Sequence, residues 1–183
     1  MGLRICFRFS GASGYSLIQA ARILAEAAAV YGDKYATESC SYGPEARGSA
    51  SRAEVIVSDE SIDYPKPDVI DYFVVLSQEA YDKYGQDVKP GGIIIADDKL
   101  SFGDQASQAK IYLVSLTELI EKELSQPQLV NIVILGFLSK LCDCLEEKAV
   151  RQAILARVPK KSEAAYIEAF DKGVNLELRH YKS

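Results

Sequence analysis

The sequence has few of the residues that build metal centres. It contains one histidine, His180, and four cysteines, Cys6, Cys40, Cys142 and Cys144, none of which share the CxxC spacing. Structural zinc and iron–sulfur sites need four ligands at defined spacings. We therefore expect the chain to hold no metal by itself, and its cysteines to be buried free thiols in a reducing cytosol. On a helix, Cys142 and Cys144 would point in different directions and would not form a ligand pair.

The sequence also lacks a long apolar run and an excess of positive charge. Its most apolar stretch, IVILGFL at residues 132–138, is far shorter than the roughly 20 residues that cross a bilayer. No charged leader precedes an apolar segment at the N-terminus, so we expect no secretory signal. The net charge of −5 argues against a surface for nucleic acid or for an anionic membrane. These absences predict a cytoplasmic protein without nucleic-acid or membrane partners.

No group of residues in the sequence forms a self-sufficient catalytic centre. His180 lies in a polar tail, LELRHYKS, and is expected to be exposed to solvent. Asp97 and Asp98 follow an apolar run, at the position where α/β folds often place ligands. They could equally cap the end of a strand.

The hydrophobic pattern predicts strands interspersed with helices. The chain has 183 residues, of which 48% are hydrophobic, so it can bury one sizeable core. Alternating or continuous apolar runs favour strands, and a period near 3.6 residues favours helices. Strands are predicted at residues 3–9, 53–57, 69–76, 91–98 and 110–114, and helices at 17–31, 77–85, 116–125, 128–145, 146–157 and 162–172.

This order of elements predicts an α/β fold, a three-layer Rossmann-like sandwich. The sheet is expected to be mostly parallel, with helices on both faces and a helical C-terminal third. Residues 1–175 are predicted to form a single domain, followed by a polar tail at 176–183. Ser162 is placed to cap the last helix and Gly173 to end it.

The first predicted strand leads into a helix through GASGYS at residues 11–16. A phosphate-binding turn presents backbone N–H groups at a helix N-terminus, and its glycines allow close approach. The segment does not match the G-x-G-x-x-G fingerprint of a dinucleotide site. It either contacts an anionic group of a cofactor or partner, or forms a tight turn in which Ser13 or Ser16 caps the helix. The candidate binding residues are Gly11, Ser13, Gly14, Tyr15 and Ser16.

A second polar segment, SCSYGPEARGSASR at residues 39–52, contains almost no large aliphatic residue. A connection of this length inside a compact domain is more often functional than idle. Arg47 and Arg52 are cations in an acidic protein, and Arg47 could grip a carboxylate or phosphate in bidentate fashion. The alternative is a solvated surface loop. The candidate contact residues are Tyr42, Gly43, Glu45, Arg47 and Gly48.

The segment at residues 42–68, YGPEARGSASRAEVIVSDESIDYPKPD, closely resembles part of a known family. In gamma subunits or gamma domains of 2-oxoacid:ferredoxin oxidoreductases, the corresponding segment runs tyrosine-glycine-proline-glutamate and then arginine-glycine-glycine. Here Ser49 replaces the second of those glycines. PKPDVIDYFVVLSQEAYDKY, VKPGGIIIADD and QLVNIVILGFLSKL also resemble family segments, and Asn131 and Gly136 match frequent positions. The resemblance covers nearly the whole chain.

The resemblance implies a gamma subunit of a complex that decarboxylates pyruvate, 2-oxoglutarate or ketoisovalerate. Such a complex uses coenzyme A and passes electrons to ferredoxin. Thiamine diphosphate and iron–sulfur clusters are expected in partner subunits. This chain would assist assembly, close the active site and contact coenzyme A at an interface, without being catalytic alone. Separated from the complex, it is expected to expose an apolar patch through which it could form a homodimer.

The turn at residues 11–16 departs from the family pattern, which usually reads glycine-x-glycine-glycine-glutamine-glycine. Ser13 and Ser16 stand in place of glycines, and Tyr15 replaces the glutamine. A Cβ at positions 13 and 16 limits close approach of a ligand to the backbone. Two further hypotheses therefore stay open: a free-standing α/β protein that binds a nucleotide or acyl-CoA, and an interaction module that has lost ligand binding.

Overall fold

A mixed sheet lies at the centre of the fold. The structure is a computed structural model that describes residues 2–11, 16–41, 51–103, 108–124 and 126–181. Within these residues the sheet has seven strands, in the order β2-β3-β1-β4-β5-β6-β7. They are β1 (Arg4–Gly11), β2 (Tyr35–Ser41), β3 (Ser51–Ser58), β4 (Ile70–Val75), β5 (Val88–Asp97), β6 (Lys110–Val114) and β7 (Arg179–His180).

The sheet is parallel at its centre and antiparallel at both edges. Strands β1, β4, β5 and β6 run parallel, whereas β3 is antiparallel to β1 and β2, and β7 is antiparallel to β6. The α/β class is confirmed, but the prediction of a mostly parallel sheet holds only for the central strands. A parallel pair needs a long crossover, usually a helix. Residues 42–50 are too few for one, so β3 returns beside β2 in the opposite direction.

Helices cover both faces of the sheet. One face carries α1 (Leu17–Glu26), α3 (Leu116–Glu118), α4 (Val130–Leu141), α5 (Glu147–Arg157) and α6 (Glu163–Asn175), and the other carries α2 (Gln78–Tyr84). A π-helical turn, Ala27–Tyr31, extends α1, and a second one, Leu119–Glu123, extends α3. The predicted three layers and helical C-terminal third are therefore present. No helix among the described residues is long and apolar enough to cross a membrane.

Strand β1 shows how the side-chain alternation builds two cores. Phe7 and Phe9 are buried in the larger core, under α1 and α4. Cys6, one position away, is buried in the smaller core under α2. Successive side chains of a strand point to opposite faces, so a strand in the middle of a three-layer fold needs apolar residues on both.

Two strands, β2 and β7, were missed by the sequence prediction. The predicted loop at residues 39–52 is too long, because residues 39–41 belong to β2 and residues 51–52 to β3. Most side chains of β2 are exposed or half-buried, so its sequence lacks the apolar alternation that marks a strand. Strand β7 lies within the predicted polar tail and is only two residues long.

Three local predictions in the C-terminal third are wrong or hold only in part. Ser162 is the N-cap residue of α6, as predicted, but its side chain makes no capping hydrogen bond. Gly173 lies inside α6, which continues to Asn175. Helix α4 ends at Leu141, so Cys142 and Cys144 lie in the turn that follows, with their sulfur atoms 2.7 Å apart.

Gly173 is needed where α6 crosses α4. A Cβ on Gly173 would lie 2.0 Å from the carbonyl oxygen of Val133, and one on Gly136 would lie 2.2 Å from that of Phe170. The backbones of the two helices therefore touch directly at this pair of glycines. This close approach packs α4 between the sheet and α6. Ten residues of α4 are buried as a result.

Substitution of Gly173 tests this crossing. Alanine is intrinsically favoured over glycine in a helix by about 1 kcal/mol, so a loss of stability can come only from the clash with α4. We expect Gly173→Ala to lower the free energy of unfolding by about 3 kcal/mol, measured by urea denaturation. Gly103→Ala is the control, because a Cβ there would meet no atom within 4 Å. Equal stability of the two variants would contradict the proposed contact.

Candidate functional site at the carboxyl edge of the sheet

The two candidate segments begin or end at the same edge of the sheet. Strands β1 and β4 both end there, and β3, which is antiparallel to β1, begins there. Gly11 is paired with Ser51, and Ser10 with Arg52. Gly11, which precedes residues 12–15, is therefore a neighbour of Ser51, which follows the segment at residues 42–50. The two segments are far apart in the sequence.

This edge is also the point where the direction of chain winding reverses. After β1, the chain passes through α1 on one face of the sheet and moves toward β2. After β4, it passes through α2 on the other face and moves toward β5. Crossovers in opposite directions leave a crevice between the carboxyl ends of the two strands, where open α/β sheets usually bind ligands. The candidate site lies at this crevice between β1 and β4.

Gly11 is the last residue of β1 and lies in a crowded position. A Cβ there would lie 3.1 Å from Leu17 Cδ1 and 3.2 Å from Leu76 Cβ. The backbone N–H of Leu76 donates to the carbonyl oxygen of Ser10 (3.1 Å), which ties the end of β4 to the end of β1. A larger residue at position 11 would crowd both side chains, so Gly11 allows the end of β1 to pack closely against α1 and the end of β4.

Ser16 begins α1 in a backbone conformation that favours glycine. Its φ of 50° and ψ of 35° are left-handed, and its side chain makes no capping hydrogen bond. Its carbonyl oxygen accepts the first helical hydrogen bonds, from the N–H groups of Gln19 (3.0 Å) and Ala20 (3.3 Å). Of the two serines that the sequence allowed as a cap, Ser16 does not cap the helix with its side chain, and Ser13 lies outside the described residues. A residue with a Cβ costs roughly 1–2 kcal/mol in this conformation, so the turn keeps a glycine-like backbone despite the serine.

Asn131 fixes the start of α1 from the side. This residue is 1% exposed, and its amide nitrogen lies 3.4 Å from the Ser16 carbonyl oxygen and 3.3 Å from Gln19 Oε1. Its other amide atom, Oδ1, is buried and has no hydrogen-bond partner among the residues that the structure describes. Buried polar atoms are normally paired, and this oxygen is closed off from solvent. The sequence marked Asn131 only as a family match.

Buried charges anchor the start of β3, beside the segment at residues 42–50. Arg8 is 5% exposed, and its Nε donates to Glu54 Oε1 at 2.8 Å. Arg8 also forms an ion pair with Asp87. Arg52 lies 3.7 Å from the same Glu54 oxygen, and both guanidinium groups lie 5.3 Å from the ring centre of Tyr84. Arg52 is thus engaged within the fold at the base of the loop.

Asp97 and Asp98 bind local groups at the end of β5. Asp97 Oδ1 accepts the N–H of Lys99 at 2.9 Å, and Asp98 accepts the hydroxyl of Ser115. Burial raises the pKa of the Asp97 carboxyl. Both aspartates therefore act as strand-end caps, one of the two interpretations that the sequence allowed. His180 is exposed, as predicted.

Most of the other predicted contact residues lie outside the described residues. This applies to Ser13, Gly14, Tyr15, Tyr42, Gly43, Glu45, Arg47 and Gly48. Only Gly11 and Ser16, which bound the turn, can be placed. Among the described residues, no group of three histidine, cysteine, aspartate or glutamate side chains is arranged to hold a metal ion.

A single sheet covered by helices on both faces, with a candidate site at the carboxyl ends of its parallel strands, defines a Rossmann-like α/β domain. Comparison with known proteins then identifies its family. The profile of the family described as pyruvate ferredoxin/flavodoxin oxidoreductase matches residues 6–176. The chain belongs to this family, and the resemblance to its gamma subunits is confirmed.

Two of the relatives match along nearly their full length, and a third matches over part of a longer chain. Subunit KorC of 2-oxoglutarate synthase from Methanocaldococcus jannaschii is 43% identical over 171 residues, which is 92% of this chain and 91% of the relative. The gamma subunit of a keto/oxoacid ferredoxin oxidoreductase from Geobacter sulfurreducens superposes with a TM-score of 0.84 and 36% identity, covering 93% of this chain and 94% of that one. A 2-oxoglutarate:ferredoxin oxidoreductase from Magnetococcus marinus shares the fold (TM-score 0.81, 22% identity), and there the match covers 93% of this chain and 30% of that one.

The role of Asn131 in holding the turn can be tested in the isolated chain. Asn131→Ala removes the donor to Ser16 and should lower the free energy of unfolding by about 1–3 kcal/mol. Hydrogen exchange at the amides of Gln19 and Ala20 should speed up, because both donate to the Ser16 carbonyl. Asn175→Ala is the matched control: this exposed amide donates to the Asp171 carbonyl within its own helix, and its loss should change stability by less than about 0.5 kcal/mol. Unchanged exchange in Asn131→Ala would show that Asn131 does not hold α1.

Proposed function

We propose that this chain is the gamma subunit of a cytoplasmic 2-oxoacid:ferredoxin oxidoreductase complex, with 2-oxoglutarate as the oxoacid. The observation that carries this proposal is the end-to-end match to KorC subunits of 2-oxoglutarate synthase, at 43% identity in the case of Methanocaldococcus jannaschii. The complex would carry out the oxidative decarboxylation of the oxoacid with coenzyme A. Its electrons would pass to ferredoxin.

The reactive groups are assigned to partner subunits. Thiamine diphosphate supplies the carbanion chemistry of such a reaction, and iron–sulfur clusters carry the electrons. An iron–sulfur cluster needs several cysteine ligands, whereas the four cysteines of this chain have no such spacing. The donor set of this chain therefore does not fit a cluster, and the chain acts by shaping and closing a site that its partners complete.

The carboxyl-edge crevice is the surface that we assign to coenzyme A. The first N–H groups of a helix have no partner within the helix and favour an anion, and α1 begins at this crevice after Ser16. Coenzyme A carries phosphates, so its chemistry fits a helix N-terminus at this place.

The segment at residues 42–50 is assigned to the interface with the partner subunits. The residues on either side of it are held by the pairing of β2 with β3 and by the ion pair of Arg52 with Glu54, so the segment begins and ends at fixed positions. Arg47 would bind a phosphate of coenzyme A or a carboxylate of the partner. With this segment in place, water would be excluded from the reacting centre, where protons quench a carbanion. A homodimer of the isolated chain remains a prediction.

Reconstitution with and without this chain tests the assembly role. The partner subunits should co-purify with this chain, and a complex that lacks it should lose coenzyme A-dependent reduction of ferredoxin. Full activity without this chain would overturn the proposal. Calorimetry of the isolated chain with coenzyme A distinguishes a complex subunit from a free-standing binding protein. Strong binding without partner subunits would favour the free-standing protein.

Arg47→Ala tests the contact role in the reconstituted complex. A charge-assisted hydrogen bond is worth about 1.5–3 kcal/mol, so we expect the KM for coenzyme A to rise about ten- to a hundredfold with assembly unchanged. Lys66→Ala is the matched control, since it removes an exposed cation from the connection between β3 and β4, at the opposite edge of the sheet. Normal kinetics of Arg47→Ala would indicate that the segment serves assembly alone.

A further inference from the structure

Two cysteines meet at the end of α4 that lies far from the carboxyl-edge crevice. The sulfur atoms of Cys142 and Cys144 are 2.7 Å apart. Both residues are free thiols. Neither takes part in the proposed contact with coenzyme A, so that contact does not explain why the two sulfurs lie so close.

The turn after α4 brings the two side chains together. Cys142 has an extended backbone (φ −122°, ψ 109°), and its carbonyl oxygen accepts the N–H of Leu145 at 3.0 Å. On a helix, residues two positions apart diverge, but in this tight turn both sulfurs face the same side. The hydroxyl of Tyr72 donates to the carbonyl oxygen of Leu141 at 3.1 Å and so holds the end of the helix against the sheet.

The two sulfurs differ in access. Cys142 is 2% exposed, whereas Cys144 is half-buried and lines a cavity of about 230 Å³. The cavity is bounded by the residues that precede β1 and β2, including Leu3 and Lys34, and by the start of α5. A small molecule that enters this cavity therefore reaches Cys144 first.

The pair shares a proton. The hydrogen bond from Cys144 lowers the pKa of the Cys142 thiol, and the same interaction, together with burial, raises the pKa of Cys144. The thiolate of the pair is therefore favoured on Cys142, and Cys144 becomes a thiolate when it passes its proton to Cys142. The thiolate is the reactive form in thiol–disulfide exchange.

The spacing favours a disulfide over a metal. Two sulfurs bound to one zinc ion at about 2.3 Å in a tetrahedral arrangement lie roughly 3.8 Å from each other. The observed separation of 2.7 Å is shorter than that, and closer to the roughly 2.05 Å of a disulfide. The described residues also offer no third histidine, cysteine or carboxylate ligand at this place.

We propose that Cys142 and Cys144 form a redox-active dithiol that is oxidised to an intramolecular disulfide by a small-molecule disulfide. Cys144, the sulfur that an incoming molecule reaches first, passes its proton to the Cys142 thiolate and attacks one sulfur of the incoming disulfide, whose bond breaks to release the first thiol. Cys142 then attacks the Cys144 sulfur of the mixed disulfide and releases the second thiol. One disulfide bond is exchanged for another, and the two electrons and two protons of the cysteine pair leave in the two released thiols. This proposal does not depend on the proposed function.

The test uses the full chain with oxidised glutathione, followed by alkylation and mass spectrometry of the cysteine peptides. Cys142 and Cys144 should both lose reactivity toward the alkylating reagent, retain no glutathione and be linked within one peptide. Cys40 is exposed and should keep a glutathione adduct, which confirms that the oxidant is active. Cys6 is buried, and desolvation raises its pKa to about 11, so it should stay a thiol.

Single variants identify the order of attack. Cys142→Ser should trap glutathione on Cys144, and Cys144→Ser should leave the buried Cys142 unmodified. The wild-type chain alone can overturn the proposal, so the test does not depend on the folding of a variant. Free Cys142 and Cys144 beside a modified Cys40, a lasting glutathione adduct on wild-type Cys144, or a disulfide between two chains would each refute it.

Discussion

The simultaneous pairing of β1 with β3 and β4 organises this molecule. The strand is buried on both faces, with Phe7 and Phe9 under one layer of helices and Cys6 under the other. Because β3 runs antiparallel to β1, its first residue lies beside the last residue of β1, at Ser51 and Gly11. Parallel pairing with β4 brings the end of a third strand to the same place. A shift of β1 by one residue would reverse which side chains face each core, so the packing of the core and the position of the site are fixed together.

Helix α4 links this edge of the sheet to the opposite one. It is buried along most of its length, and this requires α6 to approach it at Gly136 and Gly173 without side chains in between. At its beginning, Asn131 holds the first turn of α1. Just after its end, Cys142 and Cys144 meet beside the cavity near Lys34. The glycine crossing therefore supports both the candidate site and the cysteine pair, although it touches neither.

The sequence predicted those parts of the fold that depend on local apolar patterns. The β6 strand was placed at its observed bounds, because a run of buried apolar residues is bounded there by polar ones. Strand β2 escaped prediction because its stability comes from pairing with β3 at the sheet edge and not from burial. The prediction that Gly173 ends α6 was wrong for a related reason. Glycine is common both at helix ends and where two helices cross closely, and the sequence of α6 alone does not show that α4 packs against it. The family was identified from the segment at residues 42–68, of which local patterns placed only the strand at residues 53–57.

The backbone at the start of α1 has a conformation that glycine favours, although the residue there is serine. Where family members usually have glycine, Ser16 adopts the left-handed conformation that glycine favours. Such a backbone persists at a residue with a Cβ only when surrounding contacts enforce it. Here the Ser16 carbonyl accepts from two helical N–H groups and from the Asn131 amide, which together offset a cost of roughly 1–2 kcal/mol. These contacts hold the backbone at the start of α1, so the serine keeps a conformation that glycine adopts without this cost.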